Sequence, residues 1–159
     1  MKNLFMITTI ALATWLSNPT ELMAQQMPSY ETYRSNLPSN EQAQLDNLVN
    51  GEQPTVIVTA NGTTAYGNAP AIVLDVIASD FGLIDFNNSA FAEVKLIRIR
   101  YNSQSDYQQN LDLSLANQLN QLNLIFLLSV VDASSIQLDN AFQNVPSGIA
   151  TSYSISIPE

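Results

Sequence analysis

Apolar positions in the second half of this chain repeat. In Phe91-Ala-Glu-Val94-Lys-Leu96-Ile97-Arg98-Ile99-Arg100 and Leu119-Asn-Gln-Leu122-Asn-Leu124-Ile125-Phe126-Leu127-Leu128, every apolar position of the first run meets an apolar position of the second at a constant offset of 28. A further step of 28 brings Tyr153 and Ile155 beneath the same columns, with Ser147 and Ala150 in place of two earlier large residues. The pattern predicts three equally spaced strands with residues 97, 125 and 153 side by side. A unit of this length is either a leucine-rich-type rung or a βαβ crossover, and both give parallel strands. The fold class expected is therefore α/β, with a small, mainly parallel sheet. Leu122 to Val131 is almost continuously apolar, as in a central strand covered on both faces. Lys95 to Arg100 alternates instead, placing Ile97 and Ile99 on one face and Arg98 and Arg100 on the other.

Between those runs, Tyr107, Leu111, Leu115 and Leu119 recur at every fourth position and predict a helix, with Ser105-Asp106 as its cap. Leu111-Asp112-Leu113-Ser114 also alternates like a strand edge. In the first half, Ser39 and Gln42 have the spacing of a capping box, and Leu45, Leu48 and Val49 form a stripe before Gly51, which predicts a short N-terminal helix. The β-branched run Thr55-Val56-Ile57-Val58-Thr59 followed by Asn61-Gly62 predicts a hairpin into Thr63 to Tyr66. Ala71 to Ala78 reads as a buried strand in preference to a helix after Pro70, although Ile72, Val73, Val76 and Ile77 fit helical spacing almost as well, and Phe81 to Phe86 reads as a shorter strand.

The start of the chain reads differently. Met1-Lys2-Asn3 precedes an uncharged, mostly apolar stretch from Leu4 to Leu16, then Asn18-Pro19 and Leu22-Met23-Ala24. This is the order of a secretory signal peptide over residues 1–24, with cleavage before Gln25. The apolar stretch falls short of the roughly 20 residues that span a bilayer. No cysteine lies between residues 22 and 26 to carry a lipid. The expected organisation is a signal peptide, a flexible leader over residues 25–38 containing Pro28 and Pro38, and a single α/β domain over residues 39–159. A secreted location, periplasmic or extracellular, follows, with no membrane association after signal removal.

Charge narrows the partners. The chain carries 5 basic and 14 acidic residues, a net charge of −9. Removing Lys2 and Glu21 with the signal leaves that balance unchanged, and Arg34, Lys95, Arg98 and Arg100 remain as the cations. Phosphate backbones and anionic membranes are disfavoured by such a field, so no nucleic-acid partner is expected. The absence of His and Cys removes the common general base, the thiol nucleophile and most zinc sites, and no cofactor or metal is expected. A Ser–Lys dyad would depend on Lys95 alone. Paired carboxylates from Asp75, Asp80, Asp85 and Glu93 would suit glycoside hydrolysis, but their scatter reads as solvated surface. Asp80 to Asn88 gathers oxygen ligands around Gly82 without the alternating ligands of a calcium loop. Arg98 and Arg100 are the one basic pair, a candidate contact for an anion or partner. The competing reading is an internal ion pair with Asp106, Asp112 or Glu93, and it is preferred because the chain is so acidic.

The leucines from Leu111 to Leu128 resemble one leucine-rich repeat, and the chain as a whole resembles short exported proteins of Bacteroidota with no assigned activity. That resemblance implies stacked strand units and carries over no functional residue. The sequence therefore predicts a secreted, non-enzymatic surface-recognition domain whose partner is an unknown protein or glycan. The alternative is a carbohydrate- or calcium-binding module, followed by a carboxylate-based glycosidase.

Overall fold

A computed structural model describes residues 26–158, so the signal peptide read over residues 1–24 lies outside the described residues. Thr55–Thr59 forms β1 and turns at Ala60-Asn61 into β2, Gly62–Tyr66. Gly62 has φ +113°, a conformation that costs glycine little and side-chain-bearing residues much. Four more strands follow in the main sheet: β3 (Val73–Ile77), β4 (Leu96–Tyr101), then, after the short β5 (Leu111–Asp112), β6 (Leu124–Ser129) and, after the short β7 (Phe142–Gln143), β8 (Ala150–Ile155). The main sheet has the order β2-β1-β3-β4-β6-β8, and only the β1–β2 pair is antiparallel. A two-stranded parallel ladder joins β5 to β7 on the return side. The architecture is thus α/β with a mostly parallel sheet whose parallel strands lie in chain order.

Alternation along the strands divides the apolar residues between two faces. Val56, Leu74, Val76, Ile97, Ile99, Ile125 and Leu127 point into the larger core, against Phe91, Val94, Leu113, Leu122 and Leu138 from the return segments. Val73, Leu96, Leu124 and Phe126 point the other way and meet Leu45 and Val49. With both faces covered, β6 has the continuous apolar character expected of an interior strand. Each fully buried Leu or Ile contributes about 1.5–3 kcal/mol relative to exposure.

The repeat holds for one step and shifts at the next. Ile97 lies against Ile125, the expected offset of 28, but Ile125 lies against Thr151, an offset of 26, and Tyr153 pairs with Leu127. Residues 97, 125 and 153 therefore do not form one column. The first two units match down to their turns, since Val94 donates to the carbonyl of Phe91 (3.1 Å) as Leu122 does to that of Leu119 (3.1 Å). Gly148, at φ +85°, stands near the corresponding turn of the last unit, where no large side chain enforces the same count.

The returns also differ from expectation. The helix expected from Tyr107 to Leu119 is replaced by 3₁₀ turns at Asp106–Gln108 and Ser114–Gln118 with β5 between them. Asp112 Oδ1 captures the Ser114 amide (2.9 Å), a donor the interior of that helix would need, while Asp106 Oδ2 accepts from the amides of Asn102 (2.7 Å) and Ser103 (3.0 Å) and closes the turn that precedes it. Phe81 to Phe86 is not a strand. Ala78–Leu83 is a 3₁₀ helix, and Phe81, Ile84 and Phe86 plug the core from it and the loop that follows.

Helices cover the other face. Tyr30–Ser35 forms α1, capped by Ser29, whose Oγ accepts from the Thr32 amide; it lies within the stretch read as a leader. Ser39–Asn50 forms α2. Its N-terminus is not closed by a Ser39–Gln42 box, because Gln42 Nε2 turns back to the Leu37 carbonyl at 2.8 Å. Gly51 ends the helix where a Cβ would collide with the Asn47 carbonyl. A true capping box, Ser134 with Gln137, opens the short α3, Ser135–Asp139. Among the described residues no helix is long and apolar enough to cross a membrane.

Candidate functional site

The polar residues of the helix-facing side gather where α2 ends. Register places Asp75 of β3 beside Arg98 of β4, and Arg98 beside Phe126 of β6. Arg100 lies further along β4 on the same face, at the carboxyl end of the strand. Asp75 Oδ1 accepts from Arg100 Nε at 2.7 Å, and its Oδ2 lies 3.5 Å from Arg98 Nη1. Arg98 Nη2 donates to the carbonyl of Val49 at 2.8 Å, tying the last turn of α2 to the sheet.

The two arginines therefore share one buried carboxylate, and that acid is Asp75. The acids considered from sequence lie elsewhere: Asp106 and Asp112 hold the turns described above, and Glu93 is exposed before β4. One charge of the pair is neutralised and one is left over. Arg98 is directed inward by its two partners. Arg100, with 36% of its side chain exposed, makes its one bond through Nε, and among the described residues neither of its Nη groups is bonded.

A cleft of about 290 Å³ opens beside Arg98, lined by Tyr30, Asn50, Gly51, Phe126, Leu128 and Ser154. The Tyr30 ring meets Phe126 edge-on, with centroids 5.9 Å apart. Its hydroxyl donates to Asp46 Oδ1 at 2.5 Å and accepts from Asn50 Nδ2 at 3.2 Å. Arg34 forks onto the same carboxylate at 2.7 and 2.9 Å. Burial, then the Asp46 hydrogen bond, pushes Tyr30 up to about 12, while the Arg34 and Tyr30 hydrogen bonds hold Asp46 down at about 2. At neutral pH the cleft wall is thus a phenol hydroxyl beside an ionised, already paired carboxylate.

The other acids weighed for catalysis are separately engaged. Asp80 Oδ2 accepts from the Ala60 amide at 3.1 Å, and Asp85 Oδ1 from the Asn87 amide at 3.1 Å. Among the described residues no group of three or more acids is arranged to hold a metal ion. Arg98 and Arg100 were readable as a pair from alternation. Their acid, the α2 carbonyl and Tyr30 were not, because they come from β3, α2 and α1, segments distant from β4 in the chain. No family model matches the chain, and neither a curated protein nor a solved structure matches it significantly.

Proposed function

We propose that the protein is an exported, non-enzymatic recognition domain that contacts an acidic partner group through the carboxyl ends of its parallel strands. The observation that carries this reading is Arg100: its Nη groups form an unbonded, partly exposed fork, and its register partner Leu128 lines the cleft that opens beside Arg98, in a chain with net charge −9. Such a fork matches a carboxylate bidentately. Ligands of open, parallel sheets also favour the crevice outside the carboxyl strand ends. The strand units in chain order suit a leucine-rich-like solenoid, an architecture that offers an extended strand face for binding. The signal peptide read over residues 1–24 favours export, and the leucine-rich Bacteroidota resemblance agrees with that location.

Calorimetric titration with acidic peptides and uronic-acid glycans, alongside calcium and glycosidase substrates, tests the proposal. An anionic ligand should bind, and Arg100→Gln should weaken it by about 1–3 kcal/mol, the range for a charged hydrogen bond. Glycoside turnover, or calcium binding without any anion binding, would replace this reading with one of its alternatives.

A further inference from the structure

The two edges of the main sheet are treated differently. At β8, the chain's own Pro28 and Ser29 lie alongside: the Tyr153 amide and the Ser152 hydroxyl both bond the Pro28 carbonyl, at 3.2 and 3.1 Å, and Ser29 bridges to Tyr153. At the opposite edge, every residue of β2 is exposed, and among the described residues β1 is the only strand paired with it. Soluble proteins usually protect such an edge with Lys, Pro or an inward charge. Here Gly62-Thr63-Thr64-Ala65-Tyr66 has none, and no charged residue occurs from Gln53 to Leu74.

The register of the hairpin says which groups are open. With Ala60 and Asn61 alone in the turn, Thr59 and Gly62 are a hydrogen-bonded pair, so Gly62, Thr64 and Tyr66 turn their backbone groups toward β1. Thr63 and Ala65 then turn theirs outward. An antiparallel copy of the same strand, with its two-fold axis at Thr64, sets Thr63 opposite the Ala65 of that copy. This arrangement pairs all the outward groups of each copy. It also lays Tyr66, 58% exposed, across Gly62 of the other copy, a pairing in which an aromatic ring covers an edge glycine. Thr64 meets its own equivalent, a favourable cross-strand pair.

We propose that this edge joins two copies of the chain through antiparallel β2–β2 pairing, giving one continuous sheet across the dimer. Because the segment from Gln53 to Leu74 is uncharged, two copies of this acidic chain can approach along β2 without direct like-charge contact. A single edge strand buries less than the roughly 1,200 Å² of a standard interface, so the dimer is weak and favoured by salt, which screens the repulsion between copies.

The absence of cysteine from the chain makes the test direct. Thr64→Cys places a thiol on the axis, in a non-hydrogen-bonded pair with a Cα separation suited to a disulfide. Under mild oxidation this variant should form a covalent dimer at least about tenfold faster than Gln121→Cys, an exposed control away from the edge. In sedimentation, Thr64→Lys should weaken association of the native chain by about tenfold, a change of about 1.4 kcal/mol, with an unchanged melting temperature. A chain that stays monomeric at all concentrations and salts, equal crosslinking at both cysteine positions, or a dimer indifferent to Thr64→Lys would each overturn the proposal.

Discussion

Replacing Asp75 with asparagine isolates what holds the arginine cluster together. The substitution keeps the size of the side chain and one acceptor oxygen, but leaves two guanidinium groups without a counter-charge. Two unit charges about 4 Å apart interact by about 4 kcal/mol near a protein surface. That figure is a ceiling here, because the Arg98 contact is 3.5 Å long and Arg100 is 36% exposed. Breaking a fully buried pair costs about 3–5 kcal/mol and an exposed one about 0–1. Asp75 is 10% exposed and its partners are wetter, so Asp75→Asn should lower stability by about 2–3 kcal/mol. Arg98→Gln leaves Asp75 paired with Arg100 but loses the bond to Val49, and should cost about 1–2 kcal/mol. Arg100→Gln removes a pair screened by water and should cost less than about 1 kcal/mol. Urea denaturation followed by far-UV circular dichroism at neutral pH measures all three. An Asp75→Asn variant as stable as the parent, or Arg100→Gln as the most damaging of the three, would refute the reasoning.

Leu127 is fully buried between Ile99 and Tyr153, so Leu127→Asp should strand an unpaired carboxylate at a cost of several kcal/mol and prevent folding; a soluble variant with the parent melting temperature would count against the interior position of β6. Gly51→Ala should destabilise by about 1–3 kcal/mol because its Cβ meets the Asn47 carbonyl although φ is −77°, and thermal unfolding checks it. Asp46 is held at about 2 in the folded chain against an ordinary 3.8, so its stabilising contribution is complete above about pH 4 and fades as pH falls toward 2; Asp46→Asn should flatten that part of a stability-against-pH curve.

The strands were legible because a period of two and a preference for β-branched residues survive in the sequence: Thr55 to Thr59, the Ile97 and Ile99 alternation and the apolar run into β6 all fall where expected. Asn61-Gly62 marked the hairpin, but its turn falls one residue earlier, at Ala60-Asn61, and Gly62 opens β2. The returns were not legible, since leucines at every fourth position suit an α-helix and a series of 3₁₀ turns almost equally. The bond from the Ser114 amide to Asp112 belongs to the turns and not to the helix, and the apolar pattern is silent on it. The last strand was set one pleat out of register because Ser147 and Ala150 gave no large side chain to fix the column. For the candidate site, alternation put Arg98 and Arg100 on one face, but their acid depended on the pairing of β3 with β4. Acids close in sequence, Asp106 and Glu93, were the natural guess and the wrong one.

The two arginines, alike in sequence, are given different work by their depth. Arg98 has one Nη group near Asp75 and the other on the Val49 carbonyl, so its charge fixes the end of α2 and with it the width of the cleft. Arg100, nearer the strand end, meets the same carboxylate through Nε, which orients the guanidinium plane and leaves its Nη fork outward. Asp75 thus serves both roles, neutralising one charge and aiming the other. A structural ion pair and a recognition site are therefore compatible in this cluster. They separate by residue: loss of Arg98 should appear first in stability, and loss of Arg100 first in affinity for an anionic group. If both substitutions altered stability alike and left affinity unchanged, the cluster would be a fastening for α2 and the recognition surface would lie elsewhere on the sheet.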